Sequence, residues 1–169
     1  MTAVKAIVVY ESHWGNTAAI ARAIAEGIGS GAQALSTAEA TAEAIAGADL
    51  IVAGSPLLAF SLPTESTLKS MAANASRQKI PPDLSHPSMR SWLDALPRGS
   101  GRAAAFETRI RWSPGSAASA ILRKLESLGY RPVAKAERFI VQGAQGPLRD
   151  GELERAKAWG AELVQAIKL

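Results

Sequence analysis

The chain has 169 residues, which is enough for one well-buried domain and short for two. Hydrophobic residues make up 47% of it and charged residues 20%, an ordinary globular composition that argues against extended disorder. Cysteine is absent and the only histidines are His13 and His86. This excludes disulfide scaffolding, thiol catalysis and metal centres built from cysteines or several histidines. A chain without cysteine suits the reducing cytoplasm, where we expect the protein.

The net charge is +4, with basic residues scattered from Lys69 to Lys168 rather than packed into a run. Nucleic-acid interfaces usually present a basic stripe with interleaved aromatics, so we expect no nucleic-acid partner. The longest uncharged stretch, residues 50–64, contains Gly54, Pro56 and Pro63, and it is too short and broken to span a bilayer. The first residues carry too short an apolar run for a signal peptide. We therefore expect a soluble protein without membrane association.

Strand-like and helix-like segments alternate along the chain. Continuous apolar runs indicate buried strands, and apolar residues spaced four apart, such as Ile20, Ile24 and Ile28, indicate the buried side of a helix. Strands are predicted at residues 6–10, 32–35, 50–53, 103–106 and within 132–141. Helices are predicted at residues 17–28, 37–46, 62–75, 88–96, 116–128 and from 150 or 151 onward. This alternation predicts an α/β fold with a parallel sheet wrapped by helices on both faces.

Residues 76–100 interrupt this pattern. Three prolines and several polar residues in 76–87 indicate an irregular surface excursion, which is followed by a short amphipathic helix containing Trp92. The sequence contains no internal repeat, low-complexity tract or linker. We therefore predict a single domain over residues 1–169, with the excursion at about 76–100.

Residues 7–17 run from an apolar strand through a short turn into a helix. Ser12 and Thr17 offer hydroxyls in this turn, Asn16 offers an amide, and Gly15 lets the backbone approach a ligand closely. Free N–H groups at the start of the helix, with the positive end of its dipole behind them, favour a phosphate. The segment carries no Lys or Arg, so neutral donors would hold the anion. A plain helix N-cap without a ligand explains the same pattern.

Ligands of open parallel sheets lie beyond the carboxyl ends of the strands, where the strand order reverses. Three loops would gather there, at residues 12–17, 55–62 and 107–112. The first, within Val-Tyr-Glu-Ser-His-Trp-Gly-Asn-Thr at residues 9–17, resembles the phosphate-binding loop of flavodoxins. The second, Gly-Ser-Pro followed by Ala59-Phe60, resembles their second flavin loop, and the third stands where theirs would be.

The resemblance covers essentially the whole chain in the order of its elements. It implies a five-stranded sheet in the flavodoxin-like order 2-1-3-4-5 and a non-covalently bound FMN. The phosphate would lie in the first loop and the flavin ring between the second and third loops. The binding residues that it implies are Ser12, His13, Trp14, Gly15, Asn16, Thr17, Pro56, Leu57, Leu58, Ala59, Phe60, Glu107, Thr108, Arg109 and Trp112.

The second loop departs from the family pattern. In similar proteins a Thr and a polar or aromatic residue often follow the Gly-Ser-Pro, whereas this chain has Leu57 and Leu58 there. Two leucines can form an apolar wall for the ring, or they can mark a subunit contact. Trp14, Phe60 and Trp112 are candidates for stacking on the ring, and each is equally suited to packing. His13 is expected to contribute its backbone more than its imidazole.

Arg109 and Arg111 distinguish this basic chain from electron-carrier flavodoxins, which look acidic. A guanidinium near the flavin would stabilise an anionic reduced form and raise the reduction potential. Solvated loop arginines, or a pair with Glu107, fit the sequence as well. We therefore hypothesise that the protein is not a low-potential substitute for ferredoxin.

The leading interpretation is an FMN-binding redox protein that exchanges electrons with a protein partner or reduces a small acceptor such as a quinone. The alternative is a flavodoxin-like fold without flavin that serves as a protein-interaction module. The dinucleotide fingerprint, the P-loop and the nucleophile elbow of serine hydrolases are absent, as is the acidic pair of phosphoacceptor receiver domains. The electron donor, the acceptor and the oligomeric state are left open.

Overall fold

The computed structural model describes residues 4–58, 62–77 and 80–168. Within them a parallel sheet forms in the order β2-β1-β3-β4-β5, and β6 also pairs with β4. Because β5 and β6 pair with opposite ends of β4, they occupy one position of the sheet, and the predicted order 2-1-3-4-5 is confirmed. The strands are β1 (Ala6–Tyr10), β2 (Ala32–Ser36), β3 (Leu50–Pro56), β4 (Arg102–Ile110), β5 (Arg131–Pro132) and β6 (Glu137–Val141).

Helices cover both faces of the sheet, as predicted. Alternate residues of each strand point to opposite faces. In β1, Ile7 and Val9 join a core cluster with α4 and α5, whereas Ala6 and Val8 join a second cluster with α1 and α6. The helices are α1 (Asn16–Ile28), α2 (Ala42–Ile45), α3 (Glu65–Ala73), α4 (Met89–Ala95), α5 (Ala117–Ser127) and α6 (Glu152–Lys168), with a 3₁₀ turn at Ala75–Arg77.

Helices α1 and α6 approach each other closely through a glycine on each. A Cβ atom on Gly27 would lie 1.9 Å from the carbonyl oxygen of Lys157, and one on Gly160 would lie 2.2 Å from that of Ile24. Both distances are far below van der Waals contact, so neither position tolerates a side chain without moving a helix. This contact fixes α1, whose first turn borders the site described below.

Several elements differ in length from their predictions. Strands β3 and β4 continue beyond Ala53 and Phe106, because the residues that follow still pair across the sheet, Ser55 with Glu107 and Pro56 with Thr108. Helix α3 begins only after Thr64, which caps it, so Pro63 lies outside the helix. None of the described helices is long and apolar enough to cross a membrane.

Glu152 joins the start of α6 to β6 although it is a buried carboxylate. It accepts hydrogen bonds from the amide of Ile140 (2.7 Å) and from the guanidinium groups of Arg149 (3.1 Å) and Arg155 (2.8 and 3.0 Å). Burial alone would raise the pKa of Glu152, but these donors outweigh it and lower the pKa to about 2. The ionised carboxylate therefore stabilises the fold.

Replacing Glu152 with Gln should reduce the free energy of unfolding at pH 7 by about 2–4 kcal/mol, because two arginines and an amide lose a charged acceptor. A lowered pKa stabilises the fold above the ordinary carboxyl pKa of 4.5, and this contribution is lost as the pH falls toward about 2. Urea denaturation across this range should show the two proteins converging at low pH. The exposed neighbour Glu154→Gln is the control, and a constant difference between wild type and E152Q would contradict the assignment.

Candidate functional site

A cleft opens at the carboxyl edge of the sheet, where β1, β3, β4 and β6 end. Its volume of about 50 Å³ compares with the roughly 300–1,000 Å³ of typical small-molecule pockets. A small anionic group fits inside it, and anything larger would extend from its mouth. The cleft is lined by Ser12, His13, Trp14, Asn16, Thr17, Pro56, Leu57, Leu58, Thr108, Arg109, Ile110, Val141 and Ala144.

The first loop presents free amides to this cleft. Gly15 precedes α1 with φ of 91°, a left-handed conformation that favours glycine. The Oγ atom of Ser12 accepts hydrogen bonds from the amides of Gly15 (3.1 Å) and Ala18 (3.2 Å), two of the four groups that a helix start leaves unpaired. Within the described residues, the amides of Asn16 and Thr17 have no acceptor. These two amides are available to an anion.

The side chain of Thr17 is engaged elsewhere. Its buried hydroxyl lies 2.8 Å from the hydroxyl of Thr108, which ties the first turn of α1 to β4. Asn16 contacts the loop that follows β6, where a Cβ on Gly146 would come within 2.7 Å of its Oδ1 atom. Thr17 thus positions the loop through its contact with Thr108. The side chain of Asn16 is more exposed than that of Thr17.

The second predicted loop, at residues 55–62, contributes an apolar wall to the cleft through the residues that the structure describes. The amide of Leu57 donates to the carbonyl oxygen of Thr108 (2.9 Å), and the Leu57 side chain is buried in the core cluster of α4 and α5. Leu58 is half-buried at the cleft. Burial makes Leu57 unsuitable as an exposed subunit contact, which was one interpretation of this pair. The predicted site residues Ala59 and Phe60 lie outside the described residues.

The third predicted loop is corrected by the structure, because Glu107, Thr108 and Arg109 lie inside β4. Glu107 is completely buried, and its carboxylate accepts from Arg109 (2.8 Å), from the Ser116 hydroxyl (3.0 Å) and from the Ala118 amide (2.9 Å). The ion pair and the start of α5 compensate the charge, so the strand continues through residues that usually mark a loop. Glu107 therefore supports the cleft from below, and it does not line it.

The two described aromatic candidates occupy different environments. Trp14 lines the cleft, and its Nε1 donates to the carbonyl oxygen of Ile80 (2.8 Å). Trp112 is 81% exposed just after β4 and is not among the lining residues. Its neighbour Arg111 is exposed as well, whereas Arg109 is paired with Glu107. The structure therefore separates the two arginines: one is compensated and one faces solvent.

Hydrogen bonds join the start of α4 and the described residues before it to Glu11 and the first loop. The amide of Met89 donates to Glu11 Oε1 (2.8 Å), and that of Ser12 donates to His86 Nε2 (3.2 Å). The amide of Asp83 donates to the His13 carbonyl oxygen (2.7 Å), and the Asp83 carbonyl oxygen lies 3.0 Å from His13 Nδ1. We call these contacts the loop brace. They give the 76–100 excursion a structural role beside the cleft.

The two histidines of the loop brace have pKa values shifted in opposite directions. Burial would lower the pKa of His13, but the hydrogen bond to Glu11 and the contacts with Asp83 outweigh it and raise the pKa above 6.5. Burial and the neighbouring charge of His13 lower the pKa of His86 below 6.5. The shifts therefore favour the charged form of His13 and the neutral form of His86.

Comparison with known proteins identifies the fold. No protein-family model matches the chain, and neither does any curated protein. The structure is similar to a flavodoxin from the domain Archaea, with a TM-score of 0.69 and 24% identity over 97% of this chain and 99% of that one. It is similar to flavodoxin 2 from Bacillus cereus, with a TM-score of 0.66 and 15% identity over 95% of this chain and 98% of that one.

The chain has a flavodoxin-like fold. A third similar structure is the flavodiiron core from Synechocystis sp. PCC6803, with a TM-score of 0.64 and 22% identity over 98% of this chain and 36% of that chain. Within the part of the chain that the structure describes, no group of three or more His, Asp or Glu side chains is placed to hold a metal ion.

Sequence reasoning missed two parts of this site in the flavodoxin-like fold. The cleft includes Val141, the last residue of β6, and Ala144, which follows β6 at the same edge of the sheet. The rule that ligands lie beyond the carboxyl ends of parallel strands could have identified them. The loop brace was missed because its partners are separated by 70 or more residues, and only the presence of Glu11 two residues before His13 signals it.

Proposed function

We propose that the protein binds FMN non-covalently at the cleft and exchanges electrons with a protein partner or a small acceptor such as a quinone. The observation that carries this proposal is the pair of free amides of Asn16 and Thr17 at the start of α1, in a flavodoxin-like fold. FMN, when bound, supplies the redox chemistry, and the chain supplies binding, orientation and electrostatics.

The residues of the cleft fit this group. The phosphate would be held by the free amides of α1 and by the side chain of Asn16, with the positive end of the helix dipole behind them. The phosphate would lie inside the cleft, and the ring would lie at its mouth between Leu58 and the segment after β4, where Trp112 stands exposed. Leu57 and Leu58 line the cleft and offer apolar contact to a ring, whereas the Leu57 amide is already paired with the carbonyl oxygen of Thr108.

The small cleft also favours a second candidate function. A volume of about 50 Å³ leaves the ring with little enclosure, as expected of a flavodoxin-like fold that binds a protein partner instead of a flavin. Addition of FMN to the apoprotein separates the two functions. One-to-one quenching of flavin fluorescence supports the first function, and a folded protein that never quenches it supports the second.

The phosphate site can be tested with the double variant Asn16→Ala/Thr17→Val. It removes the Asn16 amide group and the hydroxyl that ties α1 to Thr108, so FMN affinity should fall about tenfold or more. Riboflavin lacks the phosphate, and its affinity should change much less. Fluorescence titration with both ligands measures the difference.

The matched control is Asn74→Ala/Thr67→Val, which makes the same two changes in and next to α3, outside the cleft. It should leave both affinities unchanged, and circular dichroism should show that both variants are folded. Equal losses for FMN and riboflavin in the cleft variant, or an unchanged FMN affinity, would contradict the phosphate assignment.

The exposed charge of Arg111 should influence the reduction potential. Glu107 compensates Arg109, whereas Arg111 forms no ion pair within the described residues. We expect a two-electron midpoint of bound FMN that is not far below that of free FMN. Arg111→Glu should lower it by on the order of tens of millivolts, since an anion near the ring disfavours negative charge on it. Arg123→Glu, an equal charge change on the exposed side of α5, is the control for a spectroelectrochemical titration.

A further inference from the structure

When Glu11 is ionised, both ring nitrogens of His13 face hydrogen-bond acceptors. Nδ1 lies 3.0 Å from the carbonyl oxygen of Asp83, a group that only accepts. Nε2 lies 2.9 Å from Oε2 of Glu11, and the other oxygen of this buried carboxylate accepts from the Met89 amide (2.8 Å). With an ionised Glu11 each ring nitrogen faces an acceptor, and the ring is then an imidazolium paired with the carboxylate.

The partner of His86 requires the opposite protonation state. Its Nε2 lies 3.2 Å from the backbone nitrogen of Ser12, a group that only donates. Nε2 must therefore be unprotonated, and the neutral ring carries its proton on Nδ1. The two imidazoles stack with ring centroids 5.6 Å apart and an interplanar angle of 26°. A proton added to His86 would remove the acceptor of Ser12 and place a second cation against His13.

We propose that His13 and His86 are positioning residues of the phosphate-binding loop, His13 as a cation and His86 as a neutral imidazole, so that FMN binding is confined to a pH window between their titrations. The role in binding rests on the proposed function, whereas the protonation states rest on the hydrogen bonds alone. His86 acts through Ser12, whose amide it holds. Ser12 in turn accepts from Gly15 and Ala18 and leaves the next amides of α1 to the phosphate.

The orientation of the ion pair also favours an anion in the cleft. His13 lines the cleft, whereas Glu11 lines neither the cleft nor the cavity on the other side of the first loop. The positive end of the pair is therefore the end toward the ligand, and it supplements the neutral donors of the loop. Riboflavin, which carries no phosphate, would gain little from it.

Charged groups on several elements face the two rings. Glu11 and Asp83 contribute negative charge to both histidines. Arg109 of β4 lines the cleft with His13 and is compensated by Glu107, and Arg22 of α1 and Glu39 line the second cavity with His86. The raised pKa of His13 and the lowered pKa of His86 agree with the protonation states that the hydrogen bonds require.

The direction of each pH effect follows from these shifts. The stabilisation of the first loop by charged His13 is present below the ordinary histidine pKa of 6.5, and it is lost as the pH rises through the raised pKa of His13. The stabilisation of the first loop by neutral His86 is present above pH 6.5, and it is lost as the pH falls through the lowered pKa of His86. Loop geometry, and with it FMN affinity, should therefore be best near pH 6.5 and decline on both sides.

The protonation states can be measured without a ligand by NMR of the apoprotein labelled with ¹⁵N-histidine. The chain has only two histidines, so one spectrum of each single variant assigns both rings. At pH 6.5 we expect one ring protonated on both nitrogens, assigned to His13, and one neutral ring with its proton on Nδ1, assigned to His86. A neutral His13, with the shared proton on Glu11, or a His86 protonated on Nε2 would overturn the inference.

The role in binding requires a pH profile of FMN affinity for the wild type, His86→Gln and His13→Gln. In His86→Gln the side-chain carbonyl oxygen can accept from Ser12 but does not titrate, so this variant should keep its affinity at acid pH down to the second ionisation of the FMN phosphate, near pH 6 for such monoesters. His13→Gln should bind FMN about tenfold more weakly near pH 6.5 and lose the alkaline decline. Neither His86→Gln nor His13→Gln should change the affinity for riboflavin in this way.

The variant Glu11→Gln/His13→Gln removes both charges together, so a His13→Gln protein that fails to fold does not prevent the comparison. Identical pH profiles for the wild type and His86→Gln, or an alkaline decline that persists without His13, would overturn the positioning role. A folded wild type that binds FMN at no pH would contradict the proposed function and the binding role together. The NMR result would still decide the protonation states separately.

Discussion

The buried ion pair between Glu11 and His13 is the interaction on which the geometry of the first loop depends. Glu11 is completely buried at the end of β1, where an isolated carboxylate would be strongly destabilising. Its two oxygens are compensated by His13 and by the amide of Met89 at the start of α4. The pair therefore fixes the loop and the preceding segment of α4 at once, and removal of either partner would leave a buried charge.

A similar arrangement recurs within β4. Glu107 is paired with Arg109, two residues further along the chain, just as Glu11 is paired with His13. Its other oxygen accepts from Ala118 in the first turn of α5, as Glu11 accepts from the start of α4. One carboxylate thus follows β1 and the other lies within β4, and each accepts from the start of a helix on the same face of the sheet. Because each carboxylate binds both a cation two residues further along the chain and a helix start, the positions of these residues and of the two helices are coupled.

The strands and the order of the sheet could be predicted because their apolar runs, such as Ile7–Val9, are local signals, and the spacing of Ile20, Ile24 and Ile28 identifies α1 in the same way. The end of β4 could not, because the burial of Glu107 depends on partners in α5. The loop brace is harder still, since its contacts join residues far apart in the chain. The residues of the cleft were largely anticipated, whereas the interactions that hold them were not.

The two ion pairs also determine which charges act at the cleft. Each places a cation beside the site and a carboxylate behind it, so the pairs orient the local field while adding no net charge. The uncompensated contributions are the positive end of α1 and the exposed Arg111. These lie at different places, one at the first loop and one after β4. In the proposed FMN site, anion recognition would therefore depend on the first loop and redox tuning on Arg111, so each could be changed without disturbing the other.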